Sequence, residues 1–488
     1  MNGAILDAFR PRWLVAGLAA IFLAILVHYT LKLNHSDNGM RSAFLRWRTQ
    51  LDELDEGVNV WEKFAYPNPP IMALILKPFL ALPPLLGASL WFGCKALLAI
   101  AAVLGVLALL DSPQRPFPVW GKLLAIALAF RPIEGDLMHG NVNLLILFLI
   151  VGCLIAFCRR YHGAAGVLLG LGIACKLTPA LFVGYFLYKR AWKTLLGTLV
   201  GLVAFVLVIP AMAYGWSSNL DYLKSWHHQM IAPFAAGVVS SEHKNQSLPG
   251  LLHRMLSEEP SFSDYDGDRK IVLDTHNLVD WDPATVRGIL IACIAVTALL
   301  ALRYCRTSLV DRPRLQMLAE FSVVVLGMLL FCERTWKHHC VTLLLPFAVL
   351  AYCLSTNVMA VRWRWTLGIL TALAALLMLS TSTGAFDANV GASHRLGKLA
   401  QVYGAYVWAF LLLLAAMFMV LRQSRADFVK QVDQRGSDDV ERTSELAGAE
   451  CVGTARARRF GRKGQDDAGR VSDEPEFAHD GVESEKQS

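Results

Sequence analysis

Long apolar runs, each bounded by charged or turn-forming residues, dominate the chain. They fall at about 13–31, 86–110, 119–131, 141–158, 194–213, 286–303, 315–332, 339–356, 365–383 and 402–421. Most approach the ~20 residues that a helix needs to cross a bilayer, and 119–131 is the shortest. The pattern predicts an all-α polytopic membrane protein with about ten spanning helices. The first run is not a cleaved signal peptide, because His28-Tyr29-Thr30-Leu31-Lys32-Leu33 follows it with no small-residue cleavage site.

Charge in the short loops sets the orientation. Arg10 and Arg12, Arg115 and Lys122, Arg159 and Arg160, then Lys189, Arg190 and Lys193, then Arg303, Arg306, Arg312 and Arg314, then Arg362 and Arg364 occupy alternate loops. All become cytoplasmic if the N-terminus is inside. The scheme requires 163–188 to enter and leave on one side. That stretch is therefore expected to be a re-entrant hairpin, broken near Thr178-Pro179, where proline removes a helix donor.

Two polar loops, 32–69 and 215–285, then share the outer face. The segment 69–84 carries five prolines and is too short to span, so it should lie along or dip into the outer interface. Residues 1–421 form the membrane domain. Residues 422–488 are polar and poor in apolar groups, and are expected to be a disordered cytoplasmic tail.

Composition narrows the function classes. Hydrophobic residues make up 55% and charged residues 17% of the 488, with a mean hydropathy of +0.44. A soluble domain would be nearer a quarter charged. Nucleic-acid-binding modules, disulfide-stapled secreted domains and soluble nucleotide-binding enzymes are excluded. The net charge of +7 mostly records orientation. The ten cysteines show no CxxC pair or zinc spacing, and the two long polar loops contain none.

Candidate chemistry gathers at the outer face. Asp37 follows the first helix, where a carboxylate could accept a proton from an acceptor hydroxyl. Asp52, Glu53, Asp55 and Glu56 look instead like the wet face of an amphipathic helix. Tyr66-Pro67-Asn68-Pro69-Pro70 forms a rigid extended turn. Asn141 and Asn143 open an otherwise apolar helix, where one could cap and the other bind sugar hydroxyls.

Lys77, Lys95 and Lys176 are isolated in apolar context and fall at a shared level in the outer half. Such charges are costly and usually have a partner or a task, of which binding a lipid phosphate is one. Asn245-Gln246-Ser247 lies in the second outer loop. His338 and His339 adjoin two outer helix ends, but adjacent helical residues point about 100° apart, which argues against one shared metal. No metal site is expected.

Together these motifs resemble glycosyltransferase family 87 of the membrane-embedded C-type superfamily. The matches run in order: Asp37, Tyr66 to Pro70, Gly140-Asn141-Val142-Asn143, Lys176-Leu177-Thr178-Pro179, Asn245-Gln246-Ser247-Leu248, and Trp336-Lys337-His338-His339 leading to Leu343-Leu344-Leu345-Pro346.

The resemblance implies a C-type fold that transfers a hexose, mannose in this family, from a polyprenyl-phosphate sugar to a lipid or glycan acceptor at the outer face. It implies inversion, no cofactor and no metal. Asp37 would be the catalytic base. Lys176, His338, His339, Tyr66, Asn141, Asn143, Asn245, Gln246 and Ser247 would bind the donor. The partners would be the lipid-linked donor, the acceptor glycolipid or glycan, and membrane lipids. A C-type transferase with another sugar or a protein acceptor stays open. So does a transporter of lipid-linked sugar, which should show related halves and intramembrane acids.

Overall fold

The computed structural model describes residues 12–34, 42–266, 269–306, 313–382 and 396–423. Asp37 and the tail expected at 422–488, apart from its first two residues, lie outside the described residues.

Helices fill the bundle where the apolar runs predict them. Among the described residues, seven are long and apolar enough to span: Pro84–Leu110, Trp192–Tyr214, Pro283–Tyr304, Arg314–Phe331, Lys337–Ser355, Val361–Ser380 and Ala405–Gln423. The other predicted runs form Arg12–Asn34, Val119–His139 and Asn143–Cys158. The short 119–131 run extends eight residues further, through Pro132 to His139. Apolar count alone misses that end because Glu134 and Asp136 sit on it.

Burial sorts the helices into layers. Arg314–Phe331 and Lys337–Ser355 are buried along 83% of their apolar windows, whereas Pro283–Tyr304 is buried along 11%. The first two form the bundle core. The last turns its leucines and isoleucines outward, as a lipid-facing helix does.

The segment 163–188 is a broken hairpin, as the charge pattern requires. Helix His162–Cys175 ends at Lys176 in an extended conformation, a single 3-10 turn covers Thr178–Ala180, and helix Leu181–Tyr188 runs back. Helix Trp192–Leu202 then lies along His162–Cys175 in the same direction. A Cβ on Gly166 would sit 2.1 Å from the Thr194 carbonyl oxygen, and one on Gly197 would sit 2.3 Å from that of Gly163. Only hydrogen fits there, so the backbones touch as small-residue membrane seams do. Both arms of the hairpin therefore start and finish at the end of the bundle that holds Arg160 and Arg190.

The next helix carries a local irregularity with an identifiable cause. Val203–Val208 is wound as a π-helix ahead of Pro210. Pro210 has no N–H, so the Val206 carbonyl loses its partner. Asn219 Nδ2 donates to that oxygen at 3.1 Å.

The Pro-rich segment 69–84 resolves into helix Pro70–Leu80 and the start of Pro84–Leu110, with a proline at the first helical position of each. The two polar loops are stitched together above the bundle. Asn59 Nδ2 donates to Ser225 Oγ at 2.9 Å, and Trp226 Nε1 donates to the Pro67 carbonyl at 3.1 Å. An antiparallel hairpin, Pro260–Asp266 with Arg269–Thr275, completes the second loop.

Candidate active site

The polar end of the bundle is built around the turn joining Val119–His139 to Asn143–Cys158. Gly140 ends the first helix in a left-handed conformation, φ 72°. A Cβ there would lie 2.9 Å from Ser42 Oγ and 3.3 Å from Phe44. The turn thus packs directly against Ser42 of the first polar loop. Trp91 Nε1 holds the Gly140 carbonyl at 3.1 Å.

Asn141 and Asn143 leave this turn in different directions. Asn141 Oδ1 accepts from its neighbour Val142 N at 2.7 Å, and Asn141 Nδ2 lies 3.2 Å from His338 Nε2. Asn143 Nδ2 donates to Asp136 Oδ1 at 2.8 Å, and Asn143 Oδ1 accepts from Lys176 Nζ at 2.6 Å. Lys176 comes from the break in the hairpin. The extended backbone there is what lets a lysine reach across to the neighbouring helix.

The histidines come from a 3-10 turn, Lys337–Leu343, that opens the buried helix Leu344–Ser355. His339 Nδ1 accepts from the Trp336 backbone N–H at 3.4 Å. An accepting Nδ1 leaves the proton on Nε2. His338 faces the other way. Its Nε2 meets Asn141, and its ring packs against His139 at 4.1 Å and Trp336 at 5.4 Å between centroids.

Lys176, His339 and Asn141 border a cavity of about 760 Å³. Lys176, His339, Asn141, Arg46, Glu333 and Arg334 supply its polar lining, with the indoles of Trp47 and Trp336 beside them. Leu177, Leu181, Ile231, Phe234, Met328 and Phe331 supply apolar lining. Among the described residues, no group of three or more His, Cys, Asp and Glu side chains could hold a metal ion.

Several expected site residues are elsewhere. His338 does not line the cavity; it backs Asn141. Tyr66 is fully buried, edge-on to Trp47 and Trp61, and its hydroxyl accepts from Asn68 Nδ2 at 3.3 Å. Its neighbours Pro67, Asn68 and Pro69 line the cavity in its place.

Asn245, Gln246 and Ser247 are each fully buried and committed to protein. Asn245 Nδ2 donates to the Glu333 carbonyl at 2.9 Å, and its Oδ1 accepts from Thr335 N at 3.0 Å. Gln246 Nε2 donates to the His243 and Gln401 carbonyls, and Ser247 Oγ caps helix Leu248–Leu256 by accepting from Gly250 N. They hold the backbone of 333–335 from behind rather than facing a ligand, which corrects the expectation that they bind donor.

Lys77 is likewise not a membrane-level ligand. It pairs with Asp55 at 2.6 Å, and the two side chains are 55% and 64% exposed. Asp52 and Glu53 make similar surface pairs with Arg48 and Lys63, so the wet-face reading of that helix holds.

Sequence reasoning did not anticipate Arg254. It is fully buried yet faces carbonyls, donating to Val402 at 2.7 Å and to Ser241 and Glu242 at 2.9 Å. Burial pushes its guanidinium down to about 9. It ties the second loop to the start of the last helix. A lone arginine in an amphipathic loop helix carries no signal that distinguishes this from a solvated one.

An all-α polytopic bundle whose cavity is lined by Lys176, Arg46 and Arg334 together with apolar side chains has the architecture of a multi-pass membrane protein. The model of glycosyltransferase family 87 matches residues 66–332, and the chain belongs to that family.

Among curated proteins, the chain is 29% identical over 308 residues to a polyprenol-phosphate-mannose-dependent alpha-(1-2)-phosphatidylinositol mannoside mannosyltransferase of Mycolicibacterium smegmatis, covering 59% of this chain and 62% of the relative. The protein of the same description from Mycobacterium tuberculosis is 29% identical over 265 residues, covering 50% and 59%. A polyprenol-phosphate-mannose-dependent alpha-(1-2)-phosphatidylinositol pentamannoside mannosyltransferase of M. smegmatis is 27% identical over 291 residues, covering 58% and 59%. The chain thus spans about three fifths of the length of the curated relatives it matches. No solved structure gives a significant match.

Proposed function

We propose that the protein transfers mannose from a polyprenyl-phosphate-mannose donor to a phosphatidylinositol mannoside or similar mannosylated glycolipid. The observation that carries the reading is the meeting of Lys176 and His339 on one cavity with an apolar wall, within a chain of family 87. The departing polyprenyl phosphate needs positive or hydrogen-bonding partners in a low-dielectric site. Lys176 supplies a charge and His339 Nε2–H a donor. The apolar wall takes the first isoprene units.

Transfer is single-step and inverting. A base removes the acceptor hydroxyl proton, the hydroxyl oxygen bonds to the anomeric carbon, and the phosphate leaves with the bonding pair. Asp37 is the base. It lies between Asn34 and Ser42, and Ser42 sits against the Gly140 turn at the cavity end. The cavity end is the outer face, since the Arg-rich loops at the opposite end favour the cytoplasm. No cofactor or metal takes part.

The test is reconstitution in nanodiscs with labelled polyprenyl phosphate mannose and a phosphatidylinositol mannoside. Wild-type protein labels the glycolipid. Asp37→Asn keeps the shape and removes the basicity, so turnover falls by about 10²–10⁴ while donor binding stays nearly intact. Turnover within about threefold of wild type, where general-base catalysis contributes at least ~10², would remove Asp37 from the mechanism.

A further inference from the structure

Behind the cavity, the side chain that holds Lys176 is itself held. Asp136 and Lys95 are both 0% exposed. Lys95 Nζ donates to the Asp136 backbone oxygen at 2.6 Å and reaches Oδ2 at 3.3 Å. Asp136 Oδ1 takes the Asn143 amide at 2.8 Å. Both carboxylate oxygens are therefore occupied and sealed from the cavity, so Asp136 is not placed to deprotonate an acceptor.

Its effect on Asn143 is directional. An amide has one donor end and one acceptor end. With its nitrogen committed to Asp136, Asn143 must turn its oxygen toward Lys176, where it accepts at 2.6 Å. Were the amide to flip, two donors would face each other and the ammonium would swing away.

Charge completes the arrangement. The buried set holds two lysines and one carboxylate. Lys95 neutralises Asp136, so the surplus positive charge stays on Lys176, which borders the cavity. Without Lys95, the carboxylate would attract Lys176 through Asn143 and compete with a ligand phosphate.

We propose that Asp136 is a positioning residue that acts through Asn143 to aim Lys176 at the donor phosphate, with Lys95 as the counter-ion that keeps the Lys176 charge available. The inference rests on the reading of Lys176 as the phosphate ligand. Its test does not require sugar transfer.

The protein in nanodiscs is titrated with polyprenyl phosphate lacking the sugar. Two variants break the chain: Lys95→Met with Asp136→Leu, which replaces a buried pair by apolar groups of similar size and is often tolerated, and Asn143→Leu. Each should raise the Kd for polyprenyl phosphate about tenfold. Each should leave the Kd for the glycolipid acceptor unchanged, which a general loosening of the fold would not. Added to Lys176→Met, neither should weaken binding further, because all act through the same ammonium.

A folded variant with Kd within about twofold of wild type, or a further tenfold loss on top of Lys176→Met, overturns the proposal. If the double variant does not fold, Asn143→Leu decides alone. If the wild type binds polyprenyl phosphate with this coupling but transfers no mannose, the mannosyl reading fails and the positioning role stands.

Discussion

Buried lysines sit at both ends of the bundle, and their surroundings differ in kind. At the Arg-rich end, Lys189 meets Glu320 at 3.2 Å, with side chains 3% and 0% exposed. Tyr185 OH donates to the same carboxylate at 2.6 Å, and Lys189 also bonds the Cys305 carbonyl. That site joins the hairpin to Pro283–Tyr304 and Arg314–Phe331 by setting a lysine against a carboxylate. At the other end, Lys95 and Lys176 share one carboxylate, and the second lysine borders a cavity. A closed pair fastens helices. An unmatched cation at a cavity wall is free to answer an incoming anion, and that excess marks the site more clearly than burial does.

The largest expected effect separates the two ends by stability. Lys189→Met takes the lysine cation away from the buried Glu320 carboxylate, which should cost about 3–5 kcal/mol of folding free energy. Thermal unfolding of the purified protein measures it, and adding Glu320→Met should recover most of the loss. Unchanged unfolding in Lys189→Met would show the Lys189–Glu320 pair to be no fastener. The surviving folded protein should keep its transfer rate per molecule.

Lys176→Met should do the reverse. It leaves a neutral side chain at a cavity wall, so unfolding shifts little, while kcat/KM for the lipid-linked donor falls about 10²-fold, the scale of losing one charged contact to a developing oxyanion. Equal donor kinetics in a well-expressed Lys176→Met protein would strip the lysine of its role. Comparing the two variants in both assays sharpens the contrast, because each should fail one and pass the other.

Acid should weaken the capped end. His243 is 8% exposed, stacked on Phe262 at 4.2 Å, with its Nδ1 3.2 Å from the Ser261 carbonyl. Burial, with Lys244, Lys398 and Arg254 nearby, pushes it down to about 4. The unfolded chain takes up its proton near pH 6.5, so unfolded protein binds more protons between about 6.5 and 4. Stability is thus full above that window and declines as pH falls through it. From pH 7 to 5 the loss attributable to this residue is about 1–2 kcal/mol. The difference in unfolding between wild type and His243→Gln, followed across that range, isolates it. Parallel pH curves would place the acid sensitivity elsewhere.

What the sequence disclosed follows from what each signal encodes. The spans were legible because apolar length is itself the determinant of crossing. The hairpin at 163–188 was legible because alternating arginine loops leave one segment the wrong parity, and Thr178-Pro179 shows where it breaks. Lys176, Asn141 and His339, which the structure brings to one cavity, stood out in the sequence because intramembrane polarity is costly. Their wiring was not found. The partner of Lys95 lies 41 residues away, and no local pattern encodes that meeting. Asn245, Gln246 and Ser247 were misassigned because a polar triplet reads the same whether it faces a ligand or a set of backbone carbonyls. Asp37 lies outside the described residues, so its placement rests on its position in the chain.

The smallest effect concerns the pair that sequence could not tell apart from the buried one. Lys77 and Lys95 both stand alone in apolar stretches, at a similar distance from the same membrane face. The structure separates them by helix phase. Lys95 points inward to a sealed carboxylate, whereas Lys77 points into solvent with Asp55. Water screens the exposed pair, and holding two long side chains in register costs entropy that offsets the attraction. Such pairs contribute about 0–1 kcal/mol. Lys77→Gln should therefore change unfolding by no more than that and leave donor kinetics unaltered. The prediction is small but has discriminating power. A drop in donor affinity in Lys77→Gln comparable to that in Lys176→Met would mean that the outer lysines act together at the phosphate, and that helix phase does not divide them. Its absence leaves Lys176 as the lysine that meets the donor, with Lys95 working behind it.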